Sequence, residues 1–75
     1  MPNIPLALSV CEKMEIFDRK QQKIVFMMTN RYSQNKIIKI VNQAKCYGWW
    51  KKNGLAAFLK AVKEVNQEER ENPGV

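Results

Sequence analysis

The sequence predicts an all-α domain, a small bundle of three to four short helices around one core. Three observations carry that expectation. Two of the three prolines and one of the three glycines lie close to the chain ends, so the interior is nearly free of helix breakers. Residues 53–66, NGLAAFLKAVKEVN, repeat apolar side chains at helical spacing. Asp18, Ser33 and Asn53 each stand just ahead of an apolar-periodic run, where a helix N-cap belongs.

Taken in order, residues 1–3 read as a flexible arm. Asn3 is positioned to cap a first helix, with Pro5 in its opening turn, where a missing N–H costs nothing. Leu6, Ala7, Val10, Met14 and Phe17 share its apolar face, while Leu8 and Ile16 fall off that stripe. Asp18 with Gln21 three residues on reads as a capping box for a second helix, Arg19 to about Asn30. Ile24, Val25, Met28 and Tyr32 form its expected core face, with Phe26 nearly opposite. The run Ile24 to Met28 also has the composition of a buried strand. Helix is preferred because nothing nearby offers a second strand to pair with.

Ser33 caps a third helix, Gln34 to about Cys46, with Ile37, Ile40, Val41 and Ala44 as its stripe. Tyr47-Gly48 reads as its stop, Gly48 taking the left-handed position. Trp49-Trp50-Lys51-Lys52 is a tight connector, from which one Trp is expected in the core and one partly exposed. Asn53 caps the fourth helix. At about 100° per residue, its Leu55, Phe58, Leu59, Val62 and Val65 fall within one arc of about 120°. It frays in Gln67–Glu71, so that residues 4–68 form the single helical domain and 69–75 a disordered acidic tail. The expected core is Val10, Met14, Phe17, Ile24, Met28, Ile37, Ile40, Val41, Leu55, Phe58, Leu59, Val62 and one Trp.

The inventory of side chains argues against an enzyme. There is no His, the residue most often used for general acid–base work, and Ser9 and Ser33 have no base in a recognisable arrangement. No glycine-rich phosphate loop, metal-ligand set or cofactor motif is present. Cys11 and Cys46 read as two small buried hydrophobes, and unpaired thiols suit a reducing, cytoplasmic setting. No stretch reaches the roughly 18 apolar residues that a membrane span needs.

Charge is the one functional signal. Residues 19–63 carry eleven Lys and Arg and no acid, whereas residues 1–18 sum to −2 and residues 64–75 to −3. Ordinary surfaces intersperse the two signs, because crowded like charges repel. A polyanion relieves that repulsion and releases counterions on binding. The expected partner is therefore nucleic acid. Lys36, Lys39, Lys51, Lys52, Lys60 and Lys63 are the expected phosphate contacts, and Asn35, Asn42 and Gln43 the candidate base readers. Helices two and three, joined by Arg31-Tyr32-Ser33, resemble a helix-turn-helix in outline. Trp49 and Trp50 beside Lys51 and Lys52 also suit base stacking on single strands or RNA loops. The competing expectation is a small homodimer or inhibitor that docks on a protein through Phe26, Met27 and an exposed Trp49 or Trp50, since a chain this short is marginal alone.

In length, four short helices, basic centre and acidic tail, the chain resembles the small uncharacterised proteins of prophages and mobile elements of Gram-positive bacteria. That resemblance implies a DNA-transaction accessory or regulator, and carries no residue roles.

Overall fold

Four helices follow one another through residues 4–71, the span that the computed structural model describes: α1 (Ile4–Lys13), α2 (Arg19–Thr29), α3 (Gln34–Lys45) and α4 (Gly54–Glu71). The Ile24–Met28 run is helical. The expected N-terminal arm lies outside the described residues, as do residues 72–75. Glu69, Arg70 and Glu71, where a disordered tail was expected to begin, continue α4.

The helices pack as two neighbouring pairs, α1 with α2 and α3 with α4, and α1 meets α3 between them. The packing does not confirm the helix-turn-helix outline of α2 and α3: α2 packs mainly on α1. The result is a slab of 36 × 33 × 15 Å. Its core contains Val10, Cys11, Met14, Ile16, Val25, Ile37, Ile40, Val41, Ala44, Ala57, Phe58, Ala61, Val62 and Val65.

Local sequence sets the helix ends. The Asp18 carboxylate accepts the Gln21 N–H at 3.1 Å, the Ser33 hydroxyl accepts the Lys36 N–H at 3.2 Å, and Asn53 Oδ1 accepts the Ala56 N–H at 3.1 Å. Gln22 reaches back to the Ile16 carbonyl at 3.1 Å, tying the start of α2 to the end of α1. At the end of α3, Cys46 and Tyr47 donate to carbonyls three residues back, and Trp50 and Lys52 repeat the pattern through the connector. These right-handed turns leave Gly48 outside the left-handed conformation expected of it.

That conformation occurs instead at Glu15, with φ 55°. Ile16 N–H bonds the Cys11 carbonyl at 2.8 Å and Glu15 N–H the Glu12 carbonyl at 3.2 Å, the paired bonds of a Schellman ending. The turn breaks the helical stripe between Met14 and Phe17. Ile16 swings into the core, whereas Phe17, expected there, is 72% exposed.

Two other stripes are rotated from expectation. α2 packs on α1, so it buries Val25 and Thr29 and turns Ile24 outward, with Met28 and Tyr32 half-buried. Phe26 is half-buried against the core. α4 buries Gly54, Ala57 and Ala61 together with Phe58, Val62 and Val65. Gly54 lets the segment after α1 approach, while Leu59 is exposed and Leu55 half-buried. The α3 stripe is as expected: Ile37, Ile40, Val41 and Ala44 are buried. Cys11 is buried but Cys46 is exposed, its thiol 3.3 Å from the Asn42 carbonyl.

Gly54 marks the tightest join in the slab. A Cβ at this position would lie 2.1 Å from the Met14 carbonyl oxygen, at the end of α1. The obstacle is backbone, so it cannot rotate away. Gly54→Ala is expected to destabilise the fold by about 1–3 kcal/mol or more. Gly48→Ala, where nothing lies within 4 Å, should instead be neutral or stabilise by up to about 1 kcal/mol. Urea unfolding midpoints of the two variants check this contrast.

Candidate nucleic-acid interface

Two groups of basic residues sit along the α3–α4 pair, and they differ in what surrounds them. The first is the polar flank of α3. Because α3 and α4 run antiparallel, the start of α3 meets the end of α4. Lys36 Nζ lies 2.7 Å from Glu69 Oε1, and Lys39 Nζ 3.6 Å from Glu68 Oε1. Lys36 also stands 4.5 Å from the centroid of the Tyr32 ring, and Asn66 donates to the Tyr32 hydroxyl at 3.3 Å. Further along, Gln43 donates to Glu64 Oε2 at 2.9 Å, and the Tyr47 hydroxyl donates to the same oxygen. Three of the expected ligand-reading residues, Lys36, Lys39 and Gln43, are therefore engaged by carboxylates of α4. The positive field of the chain's middle is partly cancelled on this flank.

Asn35 and Asn42 stay exposed on the outer side of α3. Asn42, with Ser9, Lys13 and Lys45, lines a groove of about 180 Å³ between α1 and α3.

The second group surrounds the turn from α3 to α4. The Tyr47 and Trp49 rings lie nearly parallel, 6° apart in plane with centroids 5.6 Å apart. Lys60 Nζ is 4.8 Å from the Tyr47 centroid and 5.9 Å from that of Trp49. Lys45 and Lys51 stand 5.3 and 5.6 Å from the centroid of Trp50. Such placement is favourable because the ring face carries partial negative charge. Trp50 packs on the core while Trp49 is 37% exposed. Neither ring is the fully buried plug expected of one of them, since the turn holds both at the rim. Lys51 and Lys52 are exposed on the turn, and Lys60 and Lys63 on α4.

The expected protein anchors divide likewise. Met27 is exposed, with Ile24 and Phe17 also at the surface, while Phe26 is half-buried beside Arg19, Gln22 and Lys23. Tyr47 and Lys45 belong to the corner although the sequence reading gave them no ligand role. The signal available was density: residues 47–50 hold three of the chain's seven aromatic rings.

Electrostatics bind the two groups together. The Tyr47 hydroxyl, then Gln43 and Lys60, hold the Glu64 carboxyl below the usual carboxylate range. Lys36, assisted by Lys39, does the same for Glu69. Partial burial, and then the Glu64 carboxylate, push Tyr47 above the usual phenol range.

Comparison with protein families, curated proteins and solved structures finds no match. Among the described residues no three His, Cys, Asp or Glu are grouped to hold a metal ion, and no helix is long and apolar enough to cross a membrane.

The two lowered carboxyls set a pH dependence. In the unfolded chain they take up protons below about pH 4.3, whereas in the folded chain they resist until lower pH. The unfolded state therefore binds more protons in that window, and stability falls as pH drops through it. Thermal melts should show full stability at neutral pH and a decline from about pH 5 downward. The decline should be shallower in Glu64→Gln and Glu69→Gln, and an unchanged slope in both variants would contradict the assignment.

Proposed function

We propose that this chain is a non-enzymatic nucleic-acid-binding or DNA-transaction accessory module that works in the cytoplasm. The observation that carries the reading is the second group of cations. Lys45, Lys51, Lys52, Lys60 and Lys63 lie at or near the α3–α4 corner, outside the ion pairs that take up Lys36 and Lys39. Three of them stand over aromatic rings. A dense set of ammonium groups of this kind attracts phosphates through counterion release. The interface therefore centres on the corner, with Asn35 and Asn42 available on the adjoining outer side of α3.

The test is a titration of fluorescently labelled oligonucleotides at two salt concentrations. Binding should weaken with salt, and the triple substitution of Lys51, Lys52 and Lys60 by Gln should lower the slope of log K against log salt by about two to three. Binding without a salt slope would remove the reading.

A second reading, a small homodimer or inhibitor that docks on a protein, is favoured by one specific observation. Phe17, Ile24 and Met27 are exposed on α2 and its approach, and Met27 is 59% exposed. Arg19, Lys20 and Lys23 stand among them in sequence. Sedimentation over a range of protein concentrations separates the two readings. A tight dimer that Met27→Asp dissociates, in a protein without nucleic-acid affinity, would favour the second.

A further inference from the structure

We propose that the α3–α4 corner takes an unpaired base, so that the ligand is a single strand or a single-stranded loop, with Tyr47 and Trp49 as the stacking surface. This rests on the nucleic-acid reading above and narrows it.

The first argument is subtraction. Duplex recognition through the major groove needs a helix flank whose polar side chains are free to meet base edges. The α3 flank has spent Lys36, Lys39 and Gln43 on Glu69, Glu68 and Glu64. Any phosphate brought to the start of that flank would also meet Glu68 and Glu69, and repulsion would oppose it.

The second argument is what the corner offers. The Tyr47 and Trp49 rings stack on each other with centroids 5.6 Å apart, and Trp49, 37% exposed, presents the aromatic surface that a base can meet. Inside a duplex both faces of a base are covered by its neighbours, so such a surface has a ligand only when a base is unpaired. The rings are held in advance. Tyr47 is anchored through its hydroxyl to Glu64 and receives a bond from Gln43 at 3.5 Å. Trp49 is held parallel against the Tyr47 ring. A preordered surface loses little freedom on binding. Lys60 beside the two rings, and Lys51 and Lys52 on the turn, are within the same patch for the phosphates on either side of a stacked base.

The roles follow from position. Trp49 stacks on the base and Tyr47 backs it; Lys51, Lys52 and Lys60 hold the backbone; Gln43 and Glu64 are positioning residues that fix the Tyr47 ring.

The experiment titrates the full chain with oligothymidylate, oligouridylate and a mixed duplex, each about 20 units long, under one buffer condition. Anisotropy of the labelled ligand and tryptophan fluorescence are both read. The expected result is single-strand binding at least about tenfold tighter than duplex binding, with quenching of tryptophan emission. Trp49→Ala should weaken single-strand binding by about 5- to 100-fold and leave duplex binding unchanged, while Trp49→Phe keeps most of the affinity. The DNA and RNA arms report which sugar is preferred. Equal binding of duplex and single strand, or equal losses in Trp49→Ala and Trp49→Phe, would overturn the stacking proposal and leave the basic-surface reading standing. Failure of every nucleic acid to bind would overturn both.

Discussion

The antiparallel seam between α3 and α4 is the constraint from which the rest of the molecule takes its form. Each helix carries some charge against its own dipole. α3 has Lys36 in its first turn, and α4 ends with Glu68, Glu69 and Glu71, whereas Lys45 and Arg70 suit the last turns they occupy. Lysines near a helix N-terminus and carboxylates near a C-terminus are both disfavoured in an isolated helix. Side by side and reversed, the two helices satisfy each other. Glu69 meets Lys36, Glu68 meets Lys39, and Glu64 meets Gln43 and Tyr47. Exposed ion pairs add little net stability, so the core supplies most of the stability and the seam supplies register. It also sorts the cations, occupying those at the acidic end of α4 and leaving those at its other end.

That sorting was not legible in the sequence. The acid-free block and the acidic termini could be counted, but Lys36 and Glu69 are joined only by a helix packing order that no local pattern encodes. The chain's ends could lie over its middle or hang free with the same composition. Local features were far easier to read. The caps at Asp18, Ser33 and Asn53, and the α3 stripe, depend on residues within one or two turns of each other. The helix ends followed from them to within a few residues.

The misplaced core residues have two kinds of cause, a local turn and the choice of packing neighbour. Phe17 follows the left-handed Glu15, which breaks the period. Glu15 is not a residue that announces such a turn, as Gly or Asn would. Leu59 is exposed while α4 buries Ala57 and Ala61. Ile24 and Phe26 depended on which neighbour α2 would choose. At the corner, the Trp pair and its lysines drew attention from sequence alone, but the parallel Tyr47 ring came from the geometry of consecutive tight turns.

A plate only 15 Å through has little interior to spare. Large side chains are enclosed where two helices meet, as Phe58, Met14, Ile37 and Ile40 are. Leu8, Phe17, Met27, Ile38 and Leu59 are what that thinness leaves outside. Backbone meets backbone at Gly54, so a position with no side chain at all is where this thin fold has least room for change.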